Sequence, residues 1–354
     1  MRRTAVTLAS ALGVVPLLAF PAQAGDGALP FVFTSDRDGD DEIYRVRADG
    51  RVVQLTSNDV HDGDAVWSPD GRELAFVSDR DGDLEVFVMA ADGSDVRQLT
   101  HNEATPDASA WDHSPDWAPD GTALVFVSDR DDPEGDIYRM AADGTEQTRL
   151  TETPFITDYS PSWSPNGRHI AFGSTQAGID NPEVYRMRTD GSGLRRLTRT
   201  ADGVWDDNPE YSPDGRTIVF SSNRGGADRD LYTMRADGGR VRELTGEVGV
   251  DEWFPTWTPD GRQVVYWSLT LDGSARDTAW IVDRDGTDPR PLTPGSRTTP
   301  SRTPGRPSAG DQPAPPRPRP EARPELARGE RDGVLHQAPG VLAAPSAPPS
   351  WLSS

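Results

Sequence analysis

The chain of 354 residues contains no cysteine and no lysine, and no Gly-x-Ser-x-Gly motif occurs in it. The absence of cysteine excludes a disulfide framework and a lipid-anchoring cysteine, so stability must come from buried surface and hydrogen bonds. The absence of the Gly-x-Ser-x-Gly motif excludes the nucleophile elbow of an α/β-hydrolase domain.

Long apolar runs are also scarce, with one exception at the amino terminus. Arg2 and Arg3 precede a largely apolar stretch over residues 4–20, and Ala22-Gln-Ala24 offers small residues for cleavage. This arrangement is typical of a secretory signal peptide, and the stretch is short for a membrane span of about 20 residues. We predict a signal peptide over residues 1–24, no stable membrane insertion, and a secreted or extracytoplasmic location in the periplasm or cell envelope.

The composition changes again from residue 294 onward, where proline, arginine, alanine and serine dominate. Such a composition offers too little apolar surface to form a packed core. We therefore predict a disordered tail over residues 294–354.

The charge of the chain is strongly negative, with a net value of −22. Two arginines precede the apolar stretch, and the tail holds eight arginines against five acidic residues, so the part between them is more acidic still. An acidic body repels nucleic acid phosphates. The charge therefore favours a cation, a protein or a basic peptide as partner, and it argues against nucleic acid.

The most informative feature that is present is a repeated five-residue motif, Trp-Ser-Pro-Asp-Gly or a close variant. Its copies begin 46 to 50 residues apart, at Trp67–Gly71, Trp117–Gly121, Trp163–Gly167, Tyr211–Gly215 and Trp257–Gly261. A period of roughly 40–50 residues made of short strands and tight turns is the signature of propeller blades.

Each repeat predicts four strands, which we name A to D. Strand A ends on the lead aromatic, and the Pro-Asp-Gly that follows suits a type I turn into the apolar strand B, such as Glu73–Val77. A Ser-Asp-Arg turn leads to strand C, and an Asp-Gly pair, which favours a two-residue hairpin, leads to strand D and a closing Leu-Thr. The sequence therefore predicts an all-β fold, a six-bladed β-propeller of four-stranded antiparallel blades.

These motifs, in this order and repeated, resemble the TolB-type propeller repeat over about residues 29–293. The resemblance implies a propeller domain over residues 25–293 that binds protein or peptide partners at its channel face. TolB itself has an α/β domain before its propeller. We expect none here, because blade-like sequence begins near Phe31.

Strands B, C and D occur six times, but strand A occurs only five times. The first repeat starts at strand B, and the spacing elsewhere predicts the missing aromatic near residues 304–310, where none is found. The sequence leaves several alternatives: closure through residues 349–353, an irregular strand from residues 25–30, a strand from a partner, or a first blade without its innermost strand.

An acidic residue lies five positions before each lead aromatic: Asp62, Asp112, Asp158, Asp206 and Glu252. If strand A is nearest the axis, these carboxylates form a ring around one mouth of the channel, where like charges raise one another's pKa or require a cation. The functional interpretation is a site for a divalent cation such as calcium, or for a basic extended peptide. The local alternative is that each acid accepts backbone N–H bonds from the loop that enters strand A.

Two further groups could bind metal. The acidic B–C turns over residues 36–42 and 79–85 are rich in carboxylates but lack the twelve-residue spacing of a helix-loop-helix calcium site, so an unliganded hairpin turn is the favoured interpretation. His61, His101 and His113 lie in segments that join a strand D to the next strand A, and they could ligate a metal as in lone-propeller lyases. Their unequal offsets from the lead aromatics favour ordinary loop histidines.

The function predicted from the sequence is a secreted, non-catalytic propeller that needs no cofactor and binds a protein or peptide at its acidic channel face. The alternative is a metal-dependent lyase, or another lone-propeller enzyme, that uses histidine and aspartate in the loops entering the inner strands.

Overall fold

The computed structural model describes residues 31–37, 39–47, 51–102, 111–226, 228–247, 249–270 and 278–292. The chain divides at residue 298 into two units, and all of the described residues belong to the first. The predicted signal peptide and tail lie outside the described residues. Within the described part, no helix has the length and apolar character needed to span a membrane.

Six antiparallel sheets follow one another along the chain. The first three blades comprise β1 Phe31–Ser35, β2 Glu42–Val46 and β3 Val52–Gln54; β4 Asp62–Trp67, β5 Glu73–Ser78, β6 Glu85–Ala90 and β7 Arg97–Gln98; β8 Asp112–Trp117, β9 Ala123–Ser128, β10 Asp136–Ala141 and β11 Thr148–Arg149.

The last three blades contain the only helix among the described residues, a single 3-10 turn at Thr175–Ala177 in blade four. Their strands are β12 Asp158–Trp163, β13 His169–Ser174, β14 Glu183–Arg188 and β15 Arg195–Arg196; β16 Asp206–Tyr211, β17 Thr217–Ser222, β18 Asp230–Arg235 and β19 Arg242–Glu243; β20 Val250–Trp257, β21 Gln263–Thr270, β22 Thr278–Asp283 and β23 Arg290–Pro291.

The predicted fold is confirmed: blades two to six have four strands each, ordered A to D as the repeat indicated, and blade one has the three strands β1-β2-β3. Strand β1 corresponds to strand B of the other blades. Residues 25–30 and 349–353, which the sequence offered for the missing strand, lie outside the described residues.

The core lies between neighbouring blades, because each sheet buries both faces. Trp117 and Phe126 of blade three pack with Val66 and Leu99 of blade two in one buried cluster. The ring closes in the same way: side chains of blade six, including Trp267, pack against Phe31, Phe33 and Tyr44 of blade one. Closure therefore depends on apolar packing of sheet faces, which the aromatic-rich repeats supply.

The Asp-Gly turns also contact the neighbouring blade. Gly144, in the Asp-Gly turn of blade three, has a φ of 87°, and a Cβ placed on it would lie 2.6 Å from the carbonyl oxygen of Leu99 in blade two. Four other Asp-Gly turns show the same close approach to the preceding blade's Leu-Thr, at Gly93, Gly191, Gly238 and Gly286. Only glycine allows both the left-handed backbone and this contact.

In blades one to five, the threonine of the Leu-Thr pair anchors strand C within its own blade. Thr100 accepts a hydrogen bond from the Val86 amide, 2.8 Å away, and its hydroxyl donates to the Glu85 carboxylate. Because these groups are buried, the bonds satisfy polar atoms that water cannot reach. In blades one to four, the acid that begins strand C and the threonine that follows strand D are thus bonded to each other.

Candidate functional site

The inner strands of blades two to six lie around a common axis, since β4, β8, β12, β16 and β20 each contact the next in order. Each has a residue with positive φ two positions after its acid, at Asp64, Ser114, Ser160, Asn208 and Phe254. At these residues the pairing with strand B shifts register. The resulting bulges redirect side chains near the axis, as bulges do at many functional sites.

The five predicted ring acids begin these strands or, in blade six, lie near the start, and all five are buried. Asp62, Asp112 and Asp206 pair with an arginine from the B–C turn of their own blade: Arg80 at 2.8 Å for Asp62, Arg130 at 2.5 Å for Asp112 and Arg224 for Asp206. Each arginine also lies over two aromatic rings of strands B and C. The bonds that hold these acids come mainly from side chains of the same blade.

The other two ring acids have no arginine partner among the described residues. Asp158 accepts a hydrogen bond from the Thr153 hydroxyl at 3.0 Å, and burial raises its pKa. Glu252 accepts bonds from the Thr245 hydroxyl and the Leu231 amide, and burial raises its pKa to about 8. The assignment of the ring acids as ligands for a partner or cation stays a prediction.

A second set of inner-strand acids was missed by the sequence analysis. Asp116 and Glu210 occupy the fifth position of β8 and β16, and Ser162 occupies that position in the strand between them. Asp116 accepts a hydrogen bond from the Trp163 amide at 2.7 Å, while Glu210 bonds to Ser162. Burial raises the pKa of Asp116 to about 7 and that of Glu210 to about 8, and their mutual repulsion adds to the second shift. An alignment of the five repeats could have found them, because the residue at this position differs from one inner strand to the next.

An arginine enclosed by aromatic rings was also missed. The Arg229 guanidinium lies 3.8 Å from the Trp253 ring centre and 4.8 Å from that of Trp205. Its Nε is 3.6 Å from a carboxylate oxygen of Asp207, and burial raises the pKa of Asp207 to about 6. This cluster belongs to blades five and six, where the B–C turn of one meets the inner strand of the next.

The loops that lead into the inner strands and the B–C turns share one face of the propeller, because the B–C turns of blades one to five bond to the start of the next inner strand, as in Asp62 N to Asp41 O. We call it the channel face. Phe155 and Ile179, the two most exposed large apolar residues of the described chain, lie on this face in blade four, with exposed fractions of 86% and 70%. Phe155 has a φ of +64°, which is a strained conformation for a bulky residue.

Two of the three predicted histidines, His61 and His113, lie near the same carboxylate, that of Asp64. His61 lies 3.1 Å from Asp41, and His113 bonds to Ser114, whose amide donates to Asp64 at 3.3 Å. Burial opposes protonation of His61, but the Asp41 hydrogen bond and the charge of Asp64 raise its pKa overall, while burial lowers the pKa of His113. His101 is exposed, and the three histidines do not form a group of adjacent ligand atoms within the described residues.

In the part of the chain that the structure describes, one group of three carboxylates has ligand atoms within 4.8 Å of one another: Asp81, Asp83 and Glu85 in the B–C turn of blade two. Glu85 accepts bonds from Thr100 and the Asn102 amide, and Asp81 accepts one from Gln98. Burial raises the pKa of Glu85 to about 8. These contacts agree with a hydrogen-bonded hairpin turn, and the interpretation of this turn as unliganded stays a prediction.

The fold and its inner strands define the class of this protein: a six-bladed β-propeller in which the residues that differ between repeats include those near the axis. The profile of the TolB beta propeller domain matches residues 17–112 and 108–293. Since these ranges are most of the chain, it belongs to the TolB beta propeller domain family. A comparison with curated proteins gave no match.

Several solved structures share the fold. A TolB from Agrobacterium tumefaciens has a TM-score of 0.58 and 22% identity, over 68% of this chain and 84% of that one. TolB from Acinetobacter baumannii has a TM-score of 0.58 and 20% identity, over 77% of this chain but only 62% of that one. An oligogalacturonate lyase from Vibrio parahaemolyticus has a TM-score of 0.54 and 15% identity, over 74% and 73%. Identities this low show a shared fold and do not separate a binding protein from an enzyme.

Proposed function

We propose that this propeller is a secreted, non-catalytic protein that binds a protein or peptide partner at its acidic channel face. The observation that carries the proposal is Phe155, an aromatic side chain that is 86% exposed and has a strained backbone. A bulky residue in such a conformation persists only when its surroundings hold it there, and strain of this kind gathers at binding and active sites.

The surroundings of Phe155 support a partner with both apolar and basic character. Its amide donates to the buried Asp132 at 3.3 Å, so the neighbouring blade fixes the loop. Exposed acids flank it and Ile179, namely Glu134, Glu152 and Asp180. Exposed aromatic and aliphatic anchors with a charged rim are the usual arrangement of an interaction surface.

The ring acids have a supporting part in this proposal. By pairing with Arg80, Arg130 and Arg224 they hold the B–C turns against the inner strands. The partner contacts would then fall to the exposed side chains of the loops. The family resemblance agrees with such a role, since TolB-type propellers bind partner proteins at this face.

The test is retention of proteins from a cell-envelope extract on the immobilised propeller, compared among matched variants. Phe155→Ala and Ile179→Ser should each lower retention of the partner by roughly tenfold, the usual effect of losing an anchor residue. Leu194→Ser, which removes an exposed apolar side chain of blade four at the opposite end of strand C, should retain it fully. Equal retention by all three variants would contradict the proposal.

A metal-dependent lyase or other lone-propeller enzyme is the second candidate, favoured by the approach of His61 and His113 to Asp64. A histidine must be neutral to bind a metal, and the raised pKa of His61 opposes this. Calorimetry with calcium, manganese and zinc separates the candidates. Tight binding that is lost in His61→Ala and His113→Ala would favour the enzyme, whereas heats equal to the buffer blank would favour the binding protein.

A further inference from the structure

The inner edge of blade one differs from that of every other blade. Strand β1 ends its sheet, with β2 on its other side, and no described strand pairs with it where blades two to six have an inner strand. Exposed sheet edges readily accept an extended segment through main-chain hydrogen bonds. A segment that binds at this edge would contact residues 31–37.

The side chains of this edge match those that hold inner strands elsewhere. In blades two, three and five the arginine Nε donates to the serine that ends strand B, at 2.8–3.0 Å, and the guanidinium also holds the inner-strand acid. In blade one the Arg37 Nε donates to Ser35 at 3.1 Å. Its guanidinium lies 5.0 Å from the Phe33 ring centre and 4.4 Å from that of Tyr44, as the other arginines lie over their aromatic pairs.

Arg37 nevertheless has no carboxylate partner among the described residues. Arg80, Arg130 and Arg224 each pair with the acid of their own inner strand and have side chains 28%, 20% and 21% exposed in those pairs. Arg37 is exposed. The Arg37 guanidinium is thus placed as the other three are, and it is positioned to pair with the acid of an inner strand.

We propose that the inner edge of blade one binds an extended segment of a partner protein as a sixth inner strand, with the carboxylate of its first residue paired to Arg37. Its register follows from the pairing of the five sister strands, in which the acid lies opposite the last serine of strand B, as Asp62 lies opposite Ser78. Ser35 is the equivalent residue in blade one. The sixth residue of the segment would be an aromatic opposite Phe31.

The remaining sequence of this chain does not supply such a segment. After residue 292 the only aromatic is Trp351, and the residue five positions before it is Ser346. Asp26 lies five positions before Phe31. Phe31 already belongs to β1, however, so no residues are left for the five-residue turn that separates strands A and B in the other blades. A partner with the pattern acid-x-x-x-x-aromatic is therefore the occupant that fits.

This site lies at the sheet edge of blade one, apart from Phe155 and Ile179, and does not depend on the function proposed above. The probe is a labelled synthetic peptide that copies residues 158–167, which contain an inner strand with its turn, and binding is followed by fluorescence anisotropy. The peptide should bind the full chain. Either Arg37→Met in the protein or Asp→Asn at the first peptide position should weaken binding roughly tenfold or more, the value of a charge-assisted hydrogen bond.

Three controls make the result decisive. Arg72→Met removes an exposed arginine from the A–B turn of blade two and should leave binding unchanged. The combined changes in protein and peptide should cost no more than either alone, because both remove one interaction. Arg37→Asp should recover binding when the peptide begins with arginine.

Other results would overturn the proposal. Equal binding by Arg37→Met and the unchanged protein would show that Arg37 does not receive the carboxylate. Binding only after removal of residues 294–354 would make the chain's own tail the occupant. A dimer that the peptide dissociates would make the occupant a second copy. No binding to either the full or the shortened chain would exclude strand addition at this edge.

Discussion

At the scale of single residues, three of the ring acids, Asp62, Asp112 and Asp206, are held by an arginine of their own blade. The sequence predicted their position at one end of each inner strand, and the structure adds that Asp112 is fully buried beside Arg130. A buried charge is tolerated only when it is paired, and loss of one partner leaves the other uncompensated. These inner-strand acids therefore contribute to stability whether or not they also contact a ligand.

Replacement of Asp112 by asparagine should destabilise the propeller by about 3 kcal/mol, because the Arg130 guanidinium loses its charged partner. The change is measured as the free energy of unfolding in urea. Arg290→Ala, which breaks an exposed pair with Asp288, is the matched control and should cost less than about 1 kcal/mol. Similar effects of the two changes would show that burial adds nothing to the Asp112 pair.

At the scale of strands and turns, the repeated motifs have roles that the sequence only partly indicated. The Asp-Gly pairs lie in the hairpins between strands C and D, as predicted, but the two-residue loop was wrong: only the glycine of each described pair has a positive φ, and three residues lie between the bonded pair Ala90 and Ser94. Their approach to the Leu-Thr of the preceding blade was not predicted, because it joins segments 38 to 45 residues apart. Turn chemistry is local and can be read from a few residues, whereas contacts between blades depend on how the sheets are placed.

Gly144→Ala should therefore cost more than the strain of a positive φ alone. Gly203→Ala is the matched control, since its φ of 83° is similar but nothing lies within 4 Å of the added Cβ. We expect about 1 kcal/mol for Gly203→Ala and at least about 2 kcal/mol for Gly144→Ala, as the Leu99 carbonyl must move. Thermal unfolding of both variants measures the difference, and equal costs would contradict a tight contact between blades.

At the scale of the whole molecule, the ring is closed by packing and contains an unusual number of buried acids. Burial raises the pKa to between about 6 and about 8 for Glu85, Asp116, Asp207, Glu210, Asp230 and Glu252. The folded state then binds more protons than the unfolded state between about pH 4 and pH 8. The free energy of unfolding must fall as pH rises through that window.

We predict a higher melting temperature at pH 5 than at pH 8. His113 and His169, whose pKa values are lowered by burial, act in the opposite direction, but they are two groups against six. Glu210→Gln, which mimics the protonated acid, should make the melting temperature fall less steeply with pH. A melting temperature that stays constant or rises from pH 5 to pH 8 would contradict the prediction.

The sequence by itself determined the all-β class, the number of blades, the strand order and the missing inner strand of blade one. These follow from turn motifs and alternating patterns that repeat within about 50 residues. The tertiary structure decided which side chains meet: three of the ring acids with arginines of their own blades, Glu210 with Ser162 and Asp116 around the axis, and Arg37 at an edge without a described inner strand. These contacts join residues from different strands and blades. Their geometry depends on the register shifts and on the closure of the ring, which no local sequence pattern encodes.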